Sequence, residues 1–187
     1  MSDRPIVAID CETTGLDPDR HDVFEVAYQR LGLDEEPTTV WLSHSLADAS
    51  PRALRINRYA DRWPYGTTEP TTNGGDGSWP TTSTLDLRRA IDGAHILGAN
   101  PAFDVAFLQK RLKVATWHHR LIDIEAYAMG FFGWSLPRGL RDIADEFAQL
   151  GHDIPAPDHS AAGDVRTLVA CWQAFGVTPS ARQAEGV

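Results

Sequence analysis

Short apolar runs punctuated by polar turns fill the first hundred residues, and apolar positions at helical spacing dominate afterwards. Ile6-Val7-Ala8-Ile9 is apolar on both faces and rich in β-branched residues, which predicts a strand buried in the middle of a sheet. It is expected to end in the polar turn Asp10-Cys11-Glu12-Thr13-Thr14-Gly15. Val23 to Tyr28 and Thr38 to Leu42 read as neighbouring strands of a meander. Residues 62–83 are crowded with Pro, Gly, Thr, Asn and Trp and lack periodicity, which predicts a long irregular loop insert.

Beyond that loop, Leu85 to Ile91 is a short amphipathic helix candidate and His95 to Ala99 another buried strand. Asn100 offers an N-cap and Pro101 a first helical position for a helix running to about Leu112. Ile122 to about Phe131 is a further helix candidate. Leu140, Ile143, Ala144, Phe147 and Leu150 recur at helical spacing and stop at Gly151, a suitable C-cap. Val165, Leu168, Val169 and Trp172 repeat the pattern in a last helix that ends near Gly176. Strands first, then strands and helices in alternation, predict an α/β fold with a mixed sheet.

The chain has 187 residues, enough for one domain with a substantial core, expected over residues 1–178, with a frayed tail at 179–187. The net charge of −9 argues against a general nucleic-acid coating protein, which shows a basic surface. It does not argue against an enzyme that clusters carboxylates around cations, since a bound ion reverses the local charge logic. Cys11 and Cys171 lie far apart in apolar surroundings and read as small buried hydrophobes. No secretory leader pattern is visible, and no stretch approaches the ~18 apolar residues of a membrane span. A cytoplasmic location without membrane association is the default expectation.

Three polar clusters carry candidate chemistry. Asp10-x-Glu12 stands at a strand end, where side chains two apart share a face and both carboxylates can converge on one cation. Solvated acids at an ordinary strand end explain the pair equally well. Asn100-Pro101-Ala102-Phe103-Asp104 opens a helix, and Asp104 could serve only the helix dipole. His159 and Asp164 open the last helix, where a lone loop histidine is more often solvated than catalytic. Each cluster is weak alone.

Together, in this order and on these elements, they resemble the DnaQ-like (RNase T-like) exonucleases of the DEDD superfamily, histidine branch. Asp10-Cys11-Glu12-Thr13-Thr14-Gly15-Leu16-Asp17-Pro18 matches the first motif of that family, residues 100–104 the second and residues 159–164 the third. Phe24-Glu25-Val26 resembles its second-strand segment and Leu121-Ile122-Asp123 its strand-to-helix segment. Ser160 stands where the tyrosine branch would have its tyrosine. The resemblance runs from Ile6 to about Phe175 and implies a ribonuclease H-like fold, a central mixed β-sheet flanked by helices. Two departures touch the rim of the site: Ala99, where many members carry histidine, and the 62–83 insert.

The resemblance implies a catalytic set of Asp10, Glu12, Asp104, His159 and Asp164, with the four acids holding two divalent cations. Hard oxygen donors suit Mg²⁺ or Mn²⁺ better than zinc. It also implies that Thr13, Thr14 and Leu16 meet the terminal nucleotide, with Asn100 and Phe103 as further substrate-binding candidates, although simple core packing explains Phe103 at least as well. Tyr127, Phe131, Phe132 and Trp134 could stack bases, although packing of a helix face is the preferred account. Trp63, Tyr65 and Trp79 are the better candidates for substrate contact, because loops carry function. The activity implied is 3′-to-5′ hydrolysis of single-stranded ends, DNA ahead of RNA, in proofreading or trimming, with a DNA polymerase or a second copy as conceivable partners. The competing reading is a catalytically quiet scaffold or nucleic-acid-binding module of the same fold.

Overall fold

A central strand, β1, runs from Ile6 to Thr13 and carries both the core and the first cluster of acids. The computed structural model describes residues 4–63 and 84–177. β2 (Val23–Arg30) pairs with β1 antiparallel, and β3 (Thr38–Trp41) pairs with β2 in the same way. β4 (His95–Gly98) and β5 (Ile122–Asp123) continue on the other side of β1 in parallel, giving the sheet order β3-β2-β1-β4-β5. The mixed sheet and flanking helices are those expected of an α/β chain.

Helices cover both faces, and the alternation along β1 explains the division. Val7, Ile9 and Cys11 face one core, built with α3 (Thr84–Ile91) and α4 (Pro101–Leu112) through Leu87, Ile91, Phe107 and Leu108. Ala8 faces the other, built with α5 (Ile124–Phe132), α6 (Leu140–Gln149) and α7 (Ala161–Val177). Asp10 and Glu12 share the parity of Ala8, so they project towards α7. Both cysteines are buried and free. Among the described residues no helix is long and apolar enough to cross a membrane.

Several expectations are revised. The polar turn does not start at Asp10: β1 continues through Thr13, because β2 supplies backbone pairing through Glu12↔Glu25 and Thr13↔Val23 across a bulge. Asn100 occupies the cap position of α4 but adopts φ 56° and makes no side-chain cap bond. The helix expected from Ile122 starts at Ile124, after the two-residue β5, and Asp123 caps it by accepting from Glu125 N–H at 2.9 Å. Two short helices went unforeseen, α1 (Pro51–Ile56) and α2 (Tyr59–Arg62). The signal for α1 lay in Ser50-Pro51, a capping serine followed by proline at the first helical position.

Trp63 is the clearest correction. It was a candidate for substrate contact in a loop, but it is buried at 7% exposure, sealing an aromatic cluster over β2 and β3. Its ring meets Phe24 and Trp41 edge-on at 6.5 and 5.7 Å and stacks on Tyr59 at 5.8 Å. A large ring beside a Pro/Gly-rich stretch found an apolar pocket that only the folded sheet creates. Tyr65, Trp79, residues 64–83 and the tail at 179–187 lie outside the described residues. Replacing Trp63 by alanine is expected to cost ~3–5 kcal/mol, the range for deleting a buried aromatic. Urea unfolding measures this, and a variant of unchanged stability would contradict the core assignment.

Candidate metal and active site

The carboxylates of Asp10, Glu12 and Asp164 converge at the end of β1. One oxygen of each lies within 4.8 Å of the others, the one such three-ligand group among the described residues. Asp10 and Glu12 come from alternate positions of β1, and Asp164 from the first turn of α7. Asp164 is steadied by two backbone donors: Asp158 N–H reaches Oδ1 at 2.9 Å and His159 N–H at 3.1 Å. The turn that supplies them packs tightly on α7, since a Cβ at Gly163 would run into the Asp158 carboxylate.

Asp104 arrives differently. It is buried in the first turn of α4, on the side of the sheet where Cys11 points, and its carboxylate is hydrogen-bonded to the thiol and backbone N–H of Cys11. Its charge still acts on Asp10, but it does not join the three converging oxygens. His159 is exposed, and its backbone, with φ 60°, is bonded at both ends.

Burial and crowding hold protons on these acids. Asp10 is pushed far above the usual carboxylate range by desolvation, then by the charges of Asp104, Glu12 and Asp164. Burial raises Glu12 to about 8 against the opposing pull of Arg62. Burial raises Asp104 to about 7 although the Cys11 bonds favour its charged form. Asp164 is also raised, by burial, against the hydrogen bonds from Asp158 and His159. Each shift marks a carboxylate whose charge lacks sufficient compensation from the protein. A hard divalent cation supplies that compensation, and the all-oxygen donor set suits it. The buried Oδ1 of Asn57, whose amide also bonds Glu12, has no hydrogen-bond partner among the described residues, a further polar atom without its complement. A buried acidic cluster of this kind suits a divalent metal.

The other expected residues divide. Thr13 and Thr14 are buried and shape the turn after β1: Thr13 Oγ1 donates to Gly15 O at 2.7 Å, and Thr14 Oγ1 accepts from Asp22 N–H at 2.9 Å. Leu16, at the tip of that turn, is 81% exposed, a side chain left without protein contacts to bury it. Phe103 is half-buried against Phe107, and Asn100 is exposed. Tyr127 packs on Trp172 and Phe175, while Phe131, Phe132 and Trp134 lie against the α5–α7 core, which agrees with the packing account of these aromatics.

Sequence reasoning gave no role to three residues that the structure brings to the site. Glu25, inside β2, is paired in register with Glu12 and is buried. Arg62 forms an ion pair with it and donates to Asn57 O at 2.8 Å and His159 O at 2.6 Å. Asn57 Nδ2 donates to Thr13 O at 2.9 Å. An acid within the apolar run of β2 signals an unnamed partner. Nothing local identifies that partner as Arg62.

No protein-family profile and no curated protein sequence matches the chain. Solved structures match in fold. An exonuclease I from Methylocaldum szegediense superposes with a TM-score of 0.61 at 18% identity, over 92% of this chain and 40% of that one. Exonuclease X, solved with 5′-overhanging duplex DNA, gives 0.56 at 17% identity, over 95% of this chain and 96% of that one. Pop2p from S. pombe, solved with Mg²⁺ and Mn²⁺ bound, gives 0.59 at 13% identity, over 96% and 88%. The chain therefore spans about two fifths of the exonuclease I it matches and nearly all of exonuclease X. Its fold is the α/β, ribonuclease H-like fold that these structures share.

The raised acids set a sign for stability. Folded carboxyls that hold protons more tightly than unfolded ones add stability at low pH, and that contribution is lost as pH rises from their unfolded values to about 7 for Asp104 and about 8 for Glu12. The metal-free protein is expected to show a falling thermal midpoint from about pH 5 to about pH 8. Mg²⁺ or Mn²⁺ should raise the midpoint, and more at the upper end, since binding requires deprotonated ligands. A midpoint indifferent to both pH and cation would show that the acids do not share a strained site.

Proposed function

We propose that the chain is a metal-dependent 3′-to-5′ exonuclease acting on single-stranded nucleic-acid ends, DNA ahead of RNA. The observation that carries the reading is the convergence of Asp10, Glu12 and Asp164 at the end of β1, with the charge of buried Asp104 acting on Asp10. The fold shared with exonuclease I and exonuclease X supports it, as do the DNA bound to exonuclease X and the Mg²⁺ and Mn²⁺ bound to Pop2p. In this reading Asp10, Glu12 and Asp164 hold Mg²⁺ or Mn²⁺, and Asp104 completes a site for two ions.

Bound cations would supply charge neutralisation on the phosphate and lower the pKa of an attacking water. The residues of the chain do the rest. The His159 imidazole accepts the proton of that water as the new P–O bond forms and the P–O3′ bond breaks. A nucleoside 5′-monophosphate leaves, and the departing O3′ takes a proton from solvent, so that the shortened strand ends in a 3′-hydroxyl. The turn after β1 is braced by Thr13 and Thr14, and in this reading exposed Leu16 at its tip meets the last base. The net charge of −9 disfavours tight, non-specific duplex binding and leaves the site itself to attract a strand end through its cations.

The test uses 5′-labelled single-stranded DNA and RNA oligomers with Mg²⁺ or Mn²⁺. A ladder shortening one nucleotide at a time is expected, absent with EDTA and absent for a folded Asp10→Ala variant. His159→Ala should slow turnover by ~10²–10⁴-fold while sparing cation binding. A folded, cation-binding protein that degrades neither oligomer would favour the catalytically quiet scaffold instead.

A further inference from the structure

His159 holds a backbone conformation that residues with a Cβ seldom adopt. Its φ of 60° lies in the left-handed region, which persists only where the surroundings over-determine it. Here two bonds do so. The N–H donates to Asp164 Oδ1 at 3.1 Å, within the same turn. The carbonyl accepts from Arg62 Nη1 at 2.6 Å, across 97 residues of sequence.

Arg62 is itself fixed. Its side chain is 15% exposed, and Nη2 is paired with Glu25, whose side chain is 3% exposed. Nη1 also donates to Asn57 O at 2.8 Å, closing the α1–α2 junction around it. A guanidinium is a rigid planar fork, so anchoring one edge on Glu25 decides where the other edge points. It points at the His159 peptide. Glu25 stands opposite Glu12 in the β1–β2 register, so the anchor is built on the strand pair that carries the converging acids.

We infer that Arg62, clamped by Glu25, is the positioning residue for His159: it locks the peptide from which the imidazole projects beside Asp164. Arg62 need not touch the reacting atoms for this. The use of the imidazole in turnover rests on the exonuclease reading, whereas the clamp itself does not. Lysine cannot replace it, because an ammonium lacks the planar fork that serves Glu25 and the His159 carbonyl together.

The test must avoid leaving Glu25 buried and unpaired, which could unfold the protein. The pair Arg62→Met with Glu25→Gln removes both charges and keeps the side-chain volume, and thermal unfolding confirms that it folds. Imidazole ¹⁵N spectra of the metal-free protein, with His159 assigned by its absence in His159→Ala, provide the first readout. One His159 signal is expected in the unsubstituted protein, and a shifted, split or broadened one in the double variant. In the oligomer assay kcat should fall by about 10- to 100-fold, as for a displaced catalytic group, with KM nearly unchanged. Mn²⁺ binding, followed by its electron paramagnetic resonance, should change little. In a His159→Ala background the same pair should have no further effect. Arg62→Lys alone should not restore the single His159 signal.

An unchanged His159 signal in the folded double variant overturns the clamp. An equal loss of kcat in the His159→Ala background overturns the positioning role. If the unsubstituted protein degrades no oligomer, the exonuclease reading fails, and the imidazole spectra still decide whether Arg62 holds His159.

Discussion

Like charges at the end of a buried strand are the constraint on which the surrounding structure depends. The alternation along β1 sends Val7, Ile9 and Cys11 into one core and Asp10 and Glu12 towards α7. Desolvating two carboxylates there, and bringing Asp164 and Asp104 near them, costs free energy unless donors or cations answer. The chain answers only in part. Backbone N–H groups serve Asp164, Cys11 serves Asp104, and Asn57 serves Glu12. The remaining deficit is what makes the place suitable for divalent cations.

The compensation that the protein does supply is unevenly placed. Arg62 lowers the cost of Glu12 and Asp10, yet its direct partner is Glu25, one strand away from both. Its charge is thereby committed to a carboxylate that stands directly opposite Glu12 in the strand register and is not one of the converging three. A cation entering the site would meet an Asp164 carboxylate already oriented by backbone bonds and a Glu12 carboxylate held by Asn57. Orientation by neighbours that do not themselves bind is a general feature of well-held metal sites.

The fold likeness is wide while sequence identity is low, 13% for Pop2p and 18% for exonuclease I. A shared arrangement of sheet and helices does not require shared sequence, and function has to be argued from the site that the fold carries. In this chain the segment that follows β3 joins packing to the site. There α1, α2 and Trp63 cover the sheet with an aromatic cluster, and Arg62, at the end of α2, reaches from that cover back to the site. Packing and site geometry are joined at adjacent residues: Trp63 seals the core and Arg62 holds His159.

Read alone, the sequence determined what depends on local order. The doubly apolar run at Ile6, the helical spacing of Leu140 to Leu150, Pro101 at a helix start and the Asp-x-Glu pair were legible because strand and helix periods are local properties. The order of three acidic motifs on compatible elements was legible for the same reason. Tertiary structure decided the rest. Asp104 lies against Cys11, apart from the converging oxygens, because α4 approaches the opposite face of β1. Trp63 is buried because the sheet made a pocket for it, and Arg62 finds Glu25 and His159 only after separations of 37 and 97 residues are closed by folding. A charge in a Pro/Gly-rich stretch carries no mark of its future partner, since that partnership is set by packing between elements and by no period along the chain.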